Sequence, residues 1–266
     1  HFSGMTYYEP RLPCDATQIG RFRRVLGEAG VEELLAKTIE AAVQMQAVRK
    51  SELQRVIVDT TVQEKAIAHP VDSRLLEIAR RKVVIAAKRA GIALKQTFVR
   101  EGKALRRKAG GYAHAKQFKR LRKVLKRQRT ILGIVLREVG RKIEQARETT
   151  ALALNSLRTL MQRAERIRSQ RPKDKNNLYA LHAPEVECIS KGKARTPYEF
   201  GVKVSIATTL KEGLVVGMRS MPGNPYDGHT LAETLEQVGI LTGTDKLPTT
   251  AIVDKGYRGA QIEGVR

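Results

Sequence analysis

Between residues 72 and 91 the apolar side chains fall at steps of three and four: Leu75, Leu76, Ala79, Val83, Ala86, Ala87 and Ala90. That period lines one face of a helix of about five turns, with Asp72-Ser73 placed to cap its start and Gly91 to stop it. Helical signal then dominates to about residue 170. Phe118, Leu121, Val124, Leu125, Ile131, Leu132 and Val135 mark a second apolar face. Ala153, Leu157, Leu160, Ala164 and Ile167 follow a 4-3-4-3 spacing that predicts the seam of a helical hairpin or short coiled coil, with the 114–139 helix as its expected partner. Upstream, Asp15 or Thr17 caps a helix through Ile19, Phe22 and Leu26. It breaks at Gly27–Gly30 before a second helix bearing Leu34, Leu35, Thr38, Ile39, Ala42 and Val43. Two helices about a glycine turn have the outline of a helix-turn-helix reader, although short amphipathic pairs are common.

The period changes to two elsewhere. Val56 to Val62 is a β-branched run around Asp59, which predicts a mostly buried strand. In Tyr198 to Thr208, Phe200, Val202, Val204 and Ile206 alternate with Glu199, Gly201, Lys203 and Ser205, the pattern of a half-buried strand with the valine side inward. Lys211-Glu212-Gly213 turns it into a second strand at Leu214, Val216 and Met218, and Pro222-Gly223-Asn224-Pro225 ends the ladder. Thr230 and Glu233 have capping-box spacing for a helix that buries Leu231, Leu235 and Val238 and closes at Gly239. Thr250 to Asp254 reads as another buried strand, followed by a Lys255-Gly256-Tyr257 turn. The order is β, helical insert, β, β, α, β, an α/β chain.

With 266 residues of which 41% are hydrophobic, the chain can bury a substantial core. Charge changes the picture more. Lys and Arg number 50 against 27 Asp and Glu, a net +23, and residues 80–130 hold 19 basic residues and one acid, Glu101. The surplus is a block, and a dense basic block points to a polyanion, nucleic acid by default, or else to a solvated set of helix faces. Arg106, Arg107, Lys108, Lys119, Arg120, Lys123 and Arg127 are the candidate duplex contacts, since the apolar stripe can bury while they face outward. His114, between Tyr112 and Phe118, could stack a base, but aromatics at this spacing more often join a core. The longest apolar stretches, Val83–Ala87 and Ile131–Leu136, fall far short of the ~18–20 residues that span a bilayer, so no transmembrane helix and no membrane partner is expected. His1-Phe2-Ser3-Gly4 carries neither an initiator Met nor a secretion pattern, which suggests a fragment. Cys14 and Cys188 lack metal spacing and an activating partner, fitting a reducing cytoplasm without structural zinc or a thiol nucleophile. A phosphate loop of the GxxxxGK[ST] type is absent, so ATP is not implied.

Asp59 and Asp254 each follow an apolar triplet, Val56-Ile57-Val58 and Ala251-Ile252-Val253. Singly, a carboxylate so placed is explained by an Arg or Lys partner or by capping. Together, on neighbouring strands, the two would form an oxygen-rich site suited to Mg²⁺ or Mn²⁺, the ions that phosphoryl transfer on nucleic acid requires. Asp227 and His229 are expected to organise a turn and helix cap instead.

Val58-Asp59-Thr60-Thr61, Tyr198-Glu199-Phe200-Gly201-Val202-Lys203, Pro222 to Thr230 and Val253-Asp254-Lys255-Gly256-Tyr257-Arg258-Gly259 resemble successive motifs of the DDE transposases of bacterial insertion sequences. Leu12 to Asp15 with Arg21-Phe22-Arg23, and Leu178 to Cys188, are similar to further segments of that family. The resemblance implies a ribonuclease H-like mixed sheet interrupted by a long basic helical insertion, with a small helical N-terminal region. It implies a core at 51–69 and 176–266, the insertion at 70–175 and an N-terminal region at 1–50 open to DNA binding. Asp59 and Asp254 become the first two catalytic, metal-binding acids of an enzyme that cleaves transposon ends and transfers the freed 3′-hydroxyl into target DNA. Double-stranded DNA, a homo-oligomer on that DNA and a nucleoid-associated place in the bacterial cytoplasm follow as expectations. The family's third acid is a Glu on a helix well after the second Asp, and only twelve residues follow Asp254. Glu263, directly before Gly264, is not given the role, so the chain is expected to be truncated at its C-terminus and inactive as it stands. The rival reading is a non-catalytic basic nucleic-acid-binding protein or an inactive transposon remnant.

Overall fold

The apolar stripe from Leu75 to Ala90 buries as its period requires. It lies on α2 (Asp72–Arg89), which is followed by Gly91 in the left-handed conformation, φ +68°, that glycine adopts without strain. The computed structural model describes residues 7, 14–143, 150–190, 196–244 and 246–266. The expectations at His1–Gly4 and at Leu12-Pro13 lie outside the described residues. Two units divide the chain: His1–Thr61, Val204–Met221 and Pro225–Arg266 form one, Val62–Lys203 and Pro222–Asn224 the other.

The second unit is mainly helical. α2 packs with α3 (Val99–His114), α4 (Phe118–Ile143) and α5 (Ala151–Ser169), and Leu76, Val83, Leu132, Val135, Val139 and Leu157 share the core. Truncating one of these leucines to alanine should cost about 2–5 kcal/mol. The α5 seam rests on both α2 and α4, not on one hairpin partner as expected, and Ala153 stays exposed. Asp72 and Ser73 do not cap α2. Its N-cap is Val71, whose side chain cannot accept a hydrogen bond, while Asp72 pairs with Arg129 at 3.3 Å and Ser73 is buried. Glu77 and Arg80 form a buried ion pair with bonds of 2.9 and 2.7 Å. α3 comes close to that pair because Gly102 has no side chain; a Cβ there would overlap Glu77 Oε2. A strand not anticipated from the sequence, β2 (Glu187–Ser190), pairs antiparallel with the start of β3 (Tyr198–Thr209). Gly201 of β3 lies so near the Gln63 carbonyl, at the end of β1 (Arg55–Glu64), that any Cβ would collide with it.

The first unit holds the rest of the sheet. Its strands run β4 (Val215–Met221), β3, β1, β5 (Thr250–Ile252), with β1 and β5 parallel. Ser205, Ala207 and Thr209 are the buried side of β3 here, while Val204 and Ile206 are only half-buried, the reverse of the alternation expected. The cause is the close approach of α6 (Asp227–Leu241). Ser205 Oγ accepts from Thr234 at 2.8 Å, and a Cβ on Gly217 of β4 would sit 2.9 Å from Val238. Small residues face the helix because larger ones would push it off the sheet. α6 also starts three residues before the expected capping box. Its N-cap is Tyr226, and Thr230 lies inside the first turn, donating to the Asp227 carbonyl at 2.7 Å. β5 is the last strand of the order, so Ile252 and Val253 are exposed, at 40% and 37%, where a buried strand was expected.

α1 (Ala16–Gln44) starts at a capping box in which Asp15 accepts from Thr17 and Gln18 and the Gln18 side chain answers, so Asp15 is the cap. The expected glycine break is a single kink at Gly27 (φ 66°, ψ −167°). Beyond it Ile39 packs into the core with Val56, Val58, Leu235 and Val238; before it Phe22 and Val25 are exposed.

Candidate active site and nucleic-acid interface

Parallel pairing sets the acids. Arg55 stands opposite Thr250, Val56 opposite Ala251 and Ile57 opposite Ile252. Two residues beyond the last pair stand Asp59, still on β1, and Asp254, just past the end of β5, both in one unit. Both are exposed, not buried in their runs, and among the described residues neither is paired with a cation. Alternation explains Asp59: Val56 and Val58 face the core, which sends residue 59 to the open side. Asp59 accepts from the Thr60 amide at 2.7 Å. Asp254 caps the short 3-10 turn Lys255–Tyr257, accepting from the Gly256 amide at 2.8 Å. The resulting surface offers carboxylate oxygens of the kind hard divalent cations prefer.

Asp227 joins this end of the sheet, contrary to its expected role as turn and cap. Its Oδ1 accepts from the Thr60 hydroxyl at 2.8 Å, 167 positions away. Its Oδ2 and Asp254 Oδ1 flank the point where a Cβ of residue 256 would stand, at 3.2 and 2.8 Å, so the two carboxylates share the space that Gly256 leaves open. His229 belongs to the first turn of α6, its amide donating to the Tyr226 carbonyl at 2.9 Å and its ring meeting that of Tyr226 edge-on, centroids 5.5 Å apart. Beneath lies Tyr257. Its hydroxyl is buried and makes no hydrogen bond of ordinary geometry. Thr230 and Ser205 stand nearby, but Thr230 donates to Asp227 and Ser205 accepts from Thr234. Burial, with the negative charges of Asp227 and Asp59 adding to it, pushes the phenol up to about 12. Glu263 sits in the irregular tail and not on a helix. Among the described residues no group of three or more His, Cys, Asp or Glu side chains is close enough to hold a metal ion.

In the helical unit, Arg106, Arg107 and Lys108 on α3 and Lys119, Arg120, Lys123 and Arg127 on α4 are all exposed, as their position opposite the stripe required. They are not equally available. Arg127 is held by Glu101 through bonds of 2.7 and 3.1 Å, and Arg120 lies over the Tyr112 ring at 5.9 Å. The Glu101 carboxyl is held below its usual range by that hydrogen bond from Arg127. His114 and Phe118 are exposed, Phe118 at 58%, so the core role expected for these aromatics does not hold. They flank the 115–117 turn between α3 and α4, beyond the reach of the core.

Residues 167–266 match the family model described as transposase DDE domain. The match covers the last 100 of the chain's 266 residues, and that segment is similar to the family. The match takes in β3, β4, α6, β5 and Asp254, and the resemblance read from the motifs is borne out for those within residues 167–266. A protein of Rhizobium meliloti described as uncharacterized protein ORF8 in the nfe locus is 45% identical over 117 residues, 44% of this chain. The chain covers 56% of that relative. No solved structure matches.

Enzymes of the transposase DDE domain family, which residues 167–266 resemble, generally use divalent ions. The donor set fits such an ion chemically: Asp59 and Asp254 are exposed carboxylates free of cationic partners among the described residues. No described helix is long and apolar enough to cross a membrane. Thr60, Asp227 and Tyr257 are the residues that sequence reasoning missed. Asp227-Gly228 looks like turn chemistry locally, and nothing local pairs it with Thr60.

Proposed function

We propose that this chain acts as a DDE-type transposase with a ribonuclease H-like core, Asp59 and Asp254 being its first two catalytic acids. The observation that carries this reading is the parallel pairing of β1 with β5, whose last pair, Ile57 with Ile252, lies two residues before each of two acids 195 positions apart in the chain. The strand order β4-β3-β1-β5, with a long helical stretch between β1 and β3, supports it. Residues 1–50 then form a helical N-terminal region, 51–69 with 176–266 the core, and 70–175 the basic insertion. Asp59 and Asp254 would hold Mg²⁺ or Mn²⁺, which when bound supplies activation of the attacking oxygen and charge stabilisation at the phosphate. The chain's own residues do the rest. Asp59 and Asp254 orient the site from two fixed strands, and α3 and α4 grip duplex phosphates at transposon ends and target. A homo-oligomer assembled on DNA in the bacterial nucleoid is the matching state.

Two measurements test this. Asp59→Asn and Asp254→Asn should each weaken Mn²⁺ binding and abolish Mg²⁺-dependent cleavage of duplexes from the flanks of the gene by the gene's full-length product. Salt-sensitive duplex binding should survive both. The alternative, a non-catalytic DNA-binding protein or inactive remnant, is favoured by the lack of a three-acid cluster among the described residues. Mn²⁺ binding indifferent to both substitutions would decide for it.

A further inference from the structure

The motif Pro225-Tyr226-Asp227-Gly228 is more than a turn. Every one of its last three residues is committed to the acid-bearing end of the sheet. The Tyr226 hydroxyl donates to the Arg258 carbonyl at 2.8 Å, just past the Asp254 turn. Gly228 must lack a side chain, since a Cβ would lie 2.7 Å from the Tyr226 ring and 3.3 Å from Ala260. Asp227 takes the Thr60 hydroxyl with one oxygen, and its other oxygen stands against Gly256 beside the Asp254 carboxylate. Thr60 is the residue after Asp59, and Gly256 is the amide that holds Asp254. The first turn of α6 therefore touches the neighbours of both acids. A helix whose only need was a favourable charge at its N-terminus could place that carboxylate toward solvent. This one is half-buried and bonded across the sheet.

We propose that Asp227 is a positioning residue of the acid site, fixing the separation of Asp59 and Asp254 by anchoring β1 at Thr60 with one oxygen and backing the Gly256 turn with the other. The inference rests on the metal-site reading of Asp59 and Asp254 and adds a residue to it. Its mechanism is the one by which outer partners orient metal ligands, and their loss commonly weakens affinity by ~10–100-fold.

The experiment titrates the 266-residue chain with Mn²⁺ and follows free Mn²⁺ by electron paramagnetic resonance. Hydrogen exchange at the Thr60 and Gly256 amides is followed in metal-free protein. Asp227→Ala and Thr60→Val should each lower Mn²⁺ affinity about tenfold or more and speed exchange at Gly256, while duplex binding and the thermal midpoint stay near wild type. Thr60→Ser should restore affinity, Asp227→Asn should keep most of it through its carbonyl oxygen, and the double variant should be no worse than the poorer single one, because both break one bond. Unchanged affinity in Asp227→Ala and Thr60→Val, with Asp59→Asn and Asp254→Asn still damaging, overturns the positioning role alone. A loss in Asp227→Asn equal to that in Asp227→Ala also overturns it, since charge and not the Thr60 bond would then matter. Indifference of Mn²⁺ to Asp59→Asn and Asp254→Asn overturns the parent reading and this one together.

Discussion

The helical unit and the sheet unit present their chemistry by different means. On α3 and α4 the basic residues face solvent because the helical period buries Val124, Ile131, Leu132 and Val135 on the opposite side. Each residue's exposure is settled within a few turns of chain. In the sheet unit the strands that lead to Asp59 and Asp254 are neighbours only because Arg55–Ile57 pairs with Thr250–Ile252, and Asp227 meets Thr60 only because α6 lies close on small residues. A surface made by period tolerates single changes, whereas a site made by register depends on a few contacts between distant segments.

The largest expected effect is on the helical surface as a whole. Changing Arg106, Arg107, Lys108, Lys119, Arg120 and Lys123 together to Glu should lower duplex affinity by roughly 10³-fold or more at low salt and flatten a salt slope to which each phosphate contact contributes about 0.9. Mn²⁺ binding should not move; if it falls in parallel, the two regions are not independent. Next in size, Asp59→Asn or Asp254→Asn should reduce Mn²⁺ affinity by more than the ~10–100-fold typical of an outer partner and leave the duplex isotherm as it was.

Gly201→Ala should be smaller and purely structural. The added methyl meets the Gln63 carbonyl, and chemical denaturation should show a loss of roughly 1–3 kcal/mol. Tyr257 gives a pH test. Its folded value, about 12, lies above the ordinary 10.0, so the unfolded chain ionises first. The associated stability is full below about pH 10 and is lost as pH rises toward 12. Tyr257→Phe should remove that alkaline decline in urea midpoints while leaving the neutral-pH value close to wild type. The smallest effect belongs to Arg127→Ala: with its guanidinium already held by Glu101, duplex affinity should drop less than for Lys123→Ala. A larger drop would show that DNA displaces Glu101.

Much of this was legible in the chain. The α2 stripe and its stop at Gly91, the kink at Gly27, the β3–β4 hairpin and the order of the elements other than β2 all follow from local period and turn chemistry. So do the outward basic residues. Three of the misses share one cause. Thr230 looked like a cap, Val204 and Ile206 like the buried side of β3, and β5 like an inner strand. Each of these depended on where α6 or the sheet edge would lie. Phe118 and His114 looked like core until the turn between α3 and α4 carried them beyond it.

Sequence by itself determined which residues could line a helix face, where every strand but β2 would run and that two acids ended apolar runs. A helical or alternating pattern is a property of neighbours along the chain, so composition and spacing suffice for it. Tertiary structure alone decided that the strands before Asp59 and Asp254 pair, that the Asp227 side chain accepts from Thr60, and that Arg127 is held by Glu101. Those facts are pairings across 195, 167 and 26 positions. Such pairings are fixed by strand register and by how closely a helix can approach a sheet, neither of which any local window contains.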